Sequence, residues 1–193
     1  MVDARSLQQT QSIIQTLPGG LQEHLFRVRD VAQEFAARFR IDRARVELAA
    51  LGHDLYRAMS PAEMLALART WGLKPHPVEE RVPVLLHGPL AAERLRRECG
   101  VSDPEVLQAV CWHSTGCGGM KSVALAVFLA DKLDPQKVAE RDHLRPVAEL
   151  ARESLDRAAA AYLTWEIGWL VGRGDLVHPA SVDARNDLMM GLG

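Results

Sequence analysis

Apolar residues recur along the chain at intervals of three and four, the spacing that lines one face of an α-helix, and period-two alternation is almost absent. Leu21, Leu25, Val28, Ala32, Phe35 and Phe39 form one such stripe, on a helix that the pattern ends near Arg40. Val46, Ala49, Ala50 and His53 continue the spacing on a second helix. Ser60-Pro61-Ala62-Glu63 places a hydroxyl at the N-cap, proline at the first helical position and glutamate three residues after the cap. That is a capping box, and the helix it opens is expected to run to about Trp71, with Gly72 as its stop. Residues 72–83 hold three prolines and read as a loop. Residues 84–98 read as helical, with Pro89 tolerable only near the first turn. Ser102-Asp103-Pro104-Glu105 reads as a second capping box, opening a helix over 105–113 that Gly116, Gly118 and Gly119 break. Further helices are expected over 123–132, over 145 to about 171 as one long alanine-rich element, and over 181–190. No linker or fixed-period repeat divides the pattern, so an all-α chain folded as a single domain over residues 1–193 is predicted.

Composition agrees: 48% hydrophobic and 25% charged residues sit near the globular average, which argues against both a disordered chain and a membrane protein. The longest apolar run, residues 123–130, is far shorter than the ~20 residues that cross a bilayer, and the start of the chain carries no signal-peptide pattern. Cys99, Cys111 and Cys117 are too few and odd in number for a disulfide framework, so free thiols in a reducing, cytoplasmic setting are expected. Lys+Arg of 23 against Asp+Glu of 25 gives a net charge of -2 with all 7 His neutral, and no electrostatic reason to expect DNA or RNA as a partner. The histidines are the uncertain part of that balance, because each can be neutral, protonated or metal-bound near neutral pH.

Their placement changes the picture. His24, His53 and His113 each fall on the apolar stripe of their helix. Asp131 follows Val123, Ala124, Val127 and Phe128 by eight, seven, four and three residues, which puts a carboxylate on a buried face. A buried carboxylate needs a partner, here an arginine, backbone N–H groups or a metal. A lone histidine on an apolar face is more often a hydrogen-bonded core residue than a ligand, and for His24 alone that reading suffices. The His53-Asp54 doublet differs, because adjacent helical residues point about 100° apart and can embrace one ion or bridge two. Imidazoles with carboxylates suit Fe, Mn, Co or Zn.

The order His24, His53-Asp54, His87, His113, Asp131 resembles the HD-domain metal-dependent phosphohydrolases, in particular the YqeK-type branch that hydrolyses diadenosine tetraphosphate symmetrically. Leu51-Gly52-His53-Asp54-Leu55 resembles the family's HD turn, and Leu86-His87-Gly88-Pro89 with Ala92 and Glu93 its third ligand helix. His113-Ser114-Thr115-Gly116 with Met120 is similar to its loop, and Ala130-Asp131-Lys132 to its last ligand. Val177-His178-Pro179 and Ala184-Arg185-Asn186 resemble the terminal segment of the branch. The resemblance implies a helical bundle with a di-metal site in its core, the HD part spanning about 21–135 and C-terminal helices over about 145–190 completing a nucleotide site. It implies that His24, His53, Asp54 and Asp131 hold one metal while Asp54, His87 and His113 hold a second, with Asp54 bridging, Asp54 and Asp131 catalytic, and iron expected over manganese or another transition metal. The implied reaction is hydrolysis to two ADP by hydroxide generated at the metal pair, with ADP a leaving group basic enough only weakly to need no separate acid.

Arg27, Arg57, Thr115, Lys137, His178, Arg185 and Asn186 are the candidate substrate contacts. Asp134-Pro135-Gln136-Lys137 departs from the family's pattern, with lysine where arginine is usual, which keeps the charge but loses the bidentate fork. Gly116-Cys117-Gly118-Gly119-Met120-Lys121-Ser122 is no phosphate loop, since Met120 replaces the glycine needed before Lys-Ser and no strand precedes it. Cys111, His113 and Cys117 lack the second ligand pair of a zinc finger, and Trp112 and Trp165 read as core or rim because no basic stripe interleaves them. Hydrolysis of another nucleotide, or a nucleotide-sensing module of negligible turnover, are the alternatives, and apolar residues near the long C-terminal helix permit a homodimer. Two bound cations would make the pocket strongly positive, so the near-balanced charge does not oppose an anionic substrate.

Overall fold

The structure is a computed structural model that describes residues 3–192. Among the described residues every regular element is helical: α1 Ala4–Ile14, α2 Gly19–Phe39, α3 Arg43–Gly52, α4 Pro61–Thr70, α5 Pro77–Arg81, a 3-10 turn Pro83–Leu86, α6 His87–Glu98, α7 Pro104–Trp112, α8 Ser122–Lys132, α9 Pro135–Glu140, α10 Leu144–Ala151, α11 Leu155–Gly172 and α12 Pro179–Gly191. None of these helices is long and apolar enough to cross a membrane.

The centre of the bundle is α8. Residues 123–132 are all buried, which is why this segment is apolar on every face rather than along a stripe. α2, α3, α7 and α11 pack around it, α6 lies on α7, and α12 closes over α11. α2 ends because Arg40 takes the left-handed conformation (φ 54°) and returns its N–H to the Ala36 carbonyl. The Ser60 capping box forms as expected, with Glu63 reaching back to the Ser60 N–H at 3.0 Å, and Gly72 stops the helix at φ +73°.

Several boundaries differ from the sequence reading. α1 escaped it because its inward face is Ser6, Thr10 and Ile14, so two of three buried positions are polar by type. The Thr10 hydroxyl hides that polarity by donating to the Ser6 carbonyl at 2.8 Å. Residues 72–83 are not all loop: Pro77 opens α5 at its first position, with His76 as cap. The second capping box does not form. Asp103 is the N-cap, accepting the Glu105 N–H at 3.1 Å. The expected long helix over 145–171 breaks into α10 and α11, because Ser154 leaves the helical conformation and caps the Arg157 N–H. α9 was also missed; Asp134 caps it through the Gln136 N–H. His53 and Asp54 lie just beyond α3, as its C-cap and the turn that follows, rather than within the helix.

Candidate metal centre

Three histidines stand at helix ends: His53 closes α3, His87 joins the 3-10 turn to α6, and His113 closes α7. The last carbonyls of a helix lack intrahelical partners, and the rings of His53 and His113 each use one, while His87 shares the Val84 carbonyl with its own backbone N–H. His53 Nδ1 donates to the Ala50 carbonyl at 2.7 Å and His113 Nδ1 to the Val110 carbonyl at 2.8 Å, while His87 Nδ1 donates to Val84. A carbonyl can only accept, so Nδ1 carries the proton and Nε2 keeps its lone pair. His24, on α2, reaches the same tautomer differently, through Asp134 Oδ2 at 2.7 Å from its Nδ1. Arg27 grips that carboxylate with two hydrogen bonds of 2.9 and 3.0 Å.

The four Nε2 atoms surround Asp54. Its Oδ2 is 3.6 Å from both His24 and His53, and its Oδ1 is 3.0 Å from His87 and 3.3 Å from His113. Asp131 Oδ1 adds a second carboxylate on the His24 and His53 side, at 3.3 and 3.8 Å. The donor atoms of His24, His53 and Asp131, and those of His53, Asp54 and His113, each fall within 4.8 Å of one another. Two observations test the fit to metal ions. His53 Nε2 and Asp54 Oδ1 are buried with no hydrogen-bond partner. His87 and His113 set Nε2 against Nε2 at 2.8 Å, and two lone pairs that close repel unless a cation lies between or beside them. The nitrogen and carboxylate donors, with every Nδ1 anchored behind them, are a set that could hold transition-metal ions.

The electrostatics agree. Burial takes His53 down to about 3 and lowers His113 as well, so both rings stay neutral. Burial pushes Asp54 upward, but the surrounding imidazoles of His53, His113 and His87 outweigh it and hold the carboxyl well below its usual range. Burial likewise opposes ionisation of Asp131, and Lys132 and Lys137 overcome it. Lys132 Nζ lies 2.8 Å from Asp131 Oδ2 and donates to the His113 carbonyl, while Lys137 Nζ lies 2.6 Å from Oδ1. Asp131 therefore finds lysines as its protein partners, where the sequence suggested arginine or backbone N–H groups beside a metal. Gly88, next to His87, lets α6 touch α7: a Cβ there would stand 2.6 Å from the Cys111 carbonyl oxygen.

A cavity of about 320 Å³ opens over Asp54, His87, His113 and Asp131. Arg57, Lys132, Lys137 and Arg141 also line it, so its polar wall is cationic. Of the candidate substrate contacts, Arg57 and Lys137 border this cavity. Arg27 instead grips Asp134, and the Thr115 hydroxyl turns to the Gly116 carbonyl at 2.9 Å. His178 caps α12 against His76, with ring centroids 4.9 Å apart. Arg185 bonds Thr164 Oγ1 at 3.2 Å and Asn186 Oδ1 at 3.1 Å along the α11–α12 seam. Sequence reasoning missed Asp134 as the partner of His24, and missed Arg141, His143, Tyr162 and Glu166 in the cavity wall. The acid beside Pro135 was a signal for the first; an alanine-rich helix gave none for Tyr162 and Glu166.

Comparison with known proteins places this geometry. The chain is 29% identical over 168 residues to the symmetrical bis(5'-nucleosyl)-tetraphosphatase of Halalkalibacterium halodurans, covering 87% of this chain and 88% of that one. It is 27% identical to the enzyme of the same name from Bacillus subtilis, covering 87% and 89%. A solved structure described as an HD superfamily hydrolase involved in NAD metabolism, from Clostridium acetobutylicum, shares the fold with a TM-score of 0.88 at 23% identity, covering 95% of this chain and 96% of that one. The HD domain model matches residues 21–136, the segment that carries all six converging side chains, and the chain belongs to the HD domain family.

Proposed function

We propose that this protein hydrolyses diadenosine tetraphosphate symmetrically, giving two ADP, at a pair of transition-metal ions, with iron the first choice. The observation that carries the reading is Asp54, whose two oxygens face different histidine pairs, His24 with His53 and His87 with His113. The substrate follows from likeness to the symmetrical tetraphosphatases over nearly the whole chain. In this reading His24, His53, Asp54 and Asp131 hold one ion, and Asp54, His87 and His113 the other. A metal pair bound by these residues would supply an activated water and positive charge for the phosphate oxygens.

The chain's own residues do the rest. Lys132 and Lys137 fix both oxygens of Asp131, and Asp134, fixed by Arg27, orients His24 and enforces its tautomer. Arg57 and Arg141 extend the positive wall along which a polyphosphate chain lies. The departing ADP is a weak base, so no protonating side chain is required. The reading takes the chain as one cytoplasmic domain, with residues 21–135 carrying the centre and 145–190 closing the cavity.

The test is product identification. Metal-loaded protein given diadenosine tetraphosphate should release ADP as the sole nucleotide, with about two metal ions per chain by elemental analysis. Release of ATP with AMP, or cleavage of other nucleotides in preference, would reject the assignment.

A further inference from the structure

One wall of the cavity carries chemistry that a polyphosphate does not use. Glu166 stands among the cations Arg57, Lys132, Lys137 and Arg141, and its carboxyl accepts the Tyr162 hydroxyl at 2.8 Å. An acid in a pocket built for a polyanion repels phosphate, so it must face a part of the ligand that offers hydrogen-bond donors. Ribose hydroxyls and an exocyclic amino group are such donors, and a carboxylate is their common partner. Beside Glu166, His143 also lines the cavity, and its ring stacks on Trp165 with centroids 3.6 Å apart and planes 13° from parallel. Trp165 covers one face of the imidazole, and a flat ring entering the cavity would stack on the other. Trp165 stacks in turn on Trp169, with centroids 6.0 Å apart, so the platform is backed by a second aromatic layer.

The wall is fixed to the metal centre. Tyr162 packs edge-on against Phe128, centroids 5.7 Å apart, one turn before Asp131 on α8. Burial raises the Glu166 carboxyl above its usual value, against the pull of Lys132. At about 320 Å³ the cavity lies at the lower end of the roughly 300–1,000 Å³ typical of ligand sites, enough for one end of a dinucleotide rather than both.

The geometry points to a nucleoside subsite on α10 and α11: the base of one ADP half stacks on His143 backed by Trp165, and Glu166, held by Tyr162, accepts hydrogen bonds from its ribose or amino group. The inference rests on the proposed nucleotide hydrolysis but moves nucleoside recognition from the terminal motifs to His143, Tyr162 and Glu166, and it gives Trp165, which the sequence reads as core or rim, the role of backing the stack. His178, Arg185 and Asn186 are engaged elsewhere, on α5 and along the α11–α12 seam.

The experiment compares ADP with inorganic pyrophosphate on the metal-loaded protein by calorimetry, with tryptophan fluorescence as a second readout. The wild type should bind ADP at least about tenfold more tightly than pyrophosphate, with quenching by ADP alone. Glu166→Gln and His143→Ala should close that gap by weakening ADP while pyrophosphate affinity stays, and Trp165→Phe should lose the quench. With diadenosine tetraphosphate, Glu166→Gln should raise KM at least about tenfold and change kcat little. Glu166→Gln keeps the shape of the side chain, so an unchanged melting temperature separates lost recognition from lost folding. Equal weakening of both ligands, an unchanged gap, or closure of the gap by Arg185→Ala instead would overturn the subsite. A wild type that discriminates ADP from pyrophosphate yet leaves diadenosine tetraphosphate intact would reject the proposed reaction and keep the subsite.

Discussion

Two groups of histidines in this molecule show the same residue put to opposite uses by its place on a helix. His53 and His113 close α3 and α7, and His87 closes the 3-10 turn that precedes α6, so each Nδ1 meets a carbonyl and must donate. His76 and His178 stand at helix N-termini, where Nδ1 accepts a backbone N–H, from Val78 and Ala180, each at 3.1 Å. The first arrangement leaves a lone pair on Nε2, and the second leaves a proton there. Both groups contain a buried, unpartnered Nε2, on His53 and on His178, so burial alone does not distinguish them. The tautomer does: only the first group can ligate a cation, while His178 directs an N–H toward Glu79, whose Oε1 is 3.9 Å away. Helix polarity sorts ligand from strut.

The strongest way to break this contrast is Asp54→Ala. It should take metal content from about two ions per chain to one or none and turnover to background, because it removes a donor from each histidine pair; elemental analysis beside an ADP assay reads both. Full activity would sink the bridging role. Asp134→Asn keeps the size of the group that fixes His24 but weakens its acceptor, and should cost about 10–100-fold in metal affinity by competitive chelation. An unchanged affinity would show that the His24 tautomer does not depend on Asp134.

The next test is pH, applied to chelated protein. His53 titrates at about 3 when folded against 6.5 in the unfolded chain, so between those values the unfolded state holds the extra proton. Stability must therefore fall as pH drops through that window, by up to about 1.4 kcal/mol per pH unit for one such group. His113 acts in the same sense, whereas His24, raised by Asp131 and Asp134 against the opposing effect of burial, contributes stability below 6.5 that fades as pH rises through its folded value. His53→Gln should flatten the acid limb of a plot of Tm against pH; an identical slope would show that the proton is taken up elsewhere. The smallest expected effect belongs to the second group. His178→Ala removes the cap of α12 and should cost about 1 kcal/mol in a denaturant melt with metal content unchanged. Loss of metal there would erase the contrast between the groups.

Helix periodicity in the sequence was enough for the all-helical class and for the inward direction of His53, His113 and Asp131, since one buried face per helix leaves few alternatives. Periodicity failed where burial was not apolar by residue type, as at Ser6 and Thr10 in α1, or where one residue's dihedral decides continuity, as at Ser154. Five of the six converging residues were legible because they lie in local motifs, and His24 by its place on the apolar stripe of α2 and in the order of the set. Their second layer was not: the bond from Asp134 to His24 spans 110 residues, and that from Lys137 to Asp131 depends on how α9 turns back. The terminal motifs drew attention to His178 and Arg185, yet their helix buttresses the loop after His113, through Asp187 on the Gly119 N–H at 2.8 Å. Short motifs report that a segment matters more reliably than which neighbour it serves.

The contact at Gly88 also sets a clock. His87 and His113 sit on helices that meet backbone to backbone, with no side chain interposed at the closest point. A separation held by side chains breathes as rotamers hop, in picoseconds to nanoseconds at exposed sites. One held by main chain against main chain changes only when whole helices shift, on the scale of microseconds or longer. The backbones that carry the two rings thus keep a nearly constant separation during faster side-chain motions. A methyl group added at that position, 2.6 Å from the Cys111 carbonyl oxygen, would force the two helices apart and widen the span between the rings.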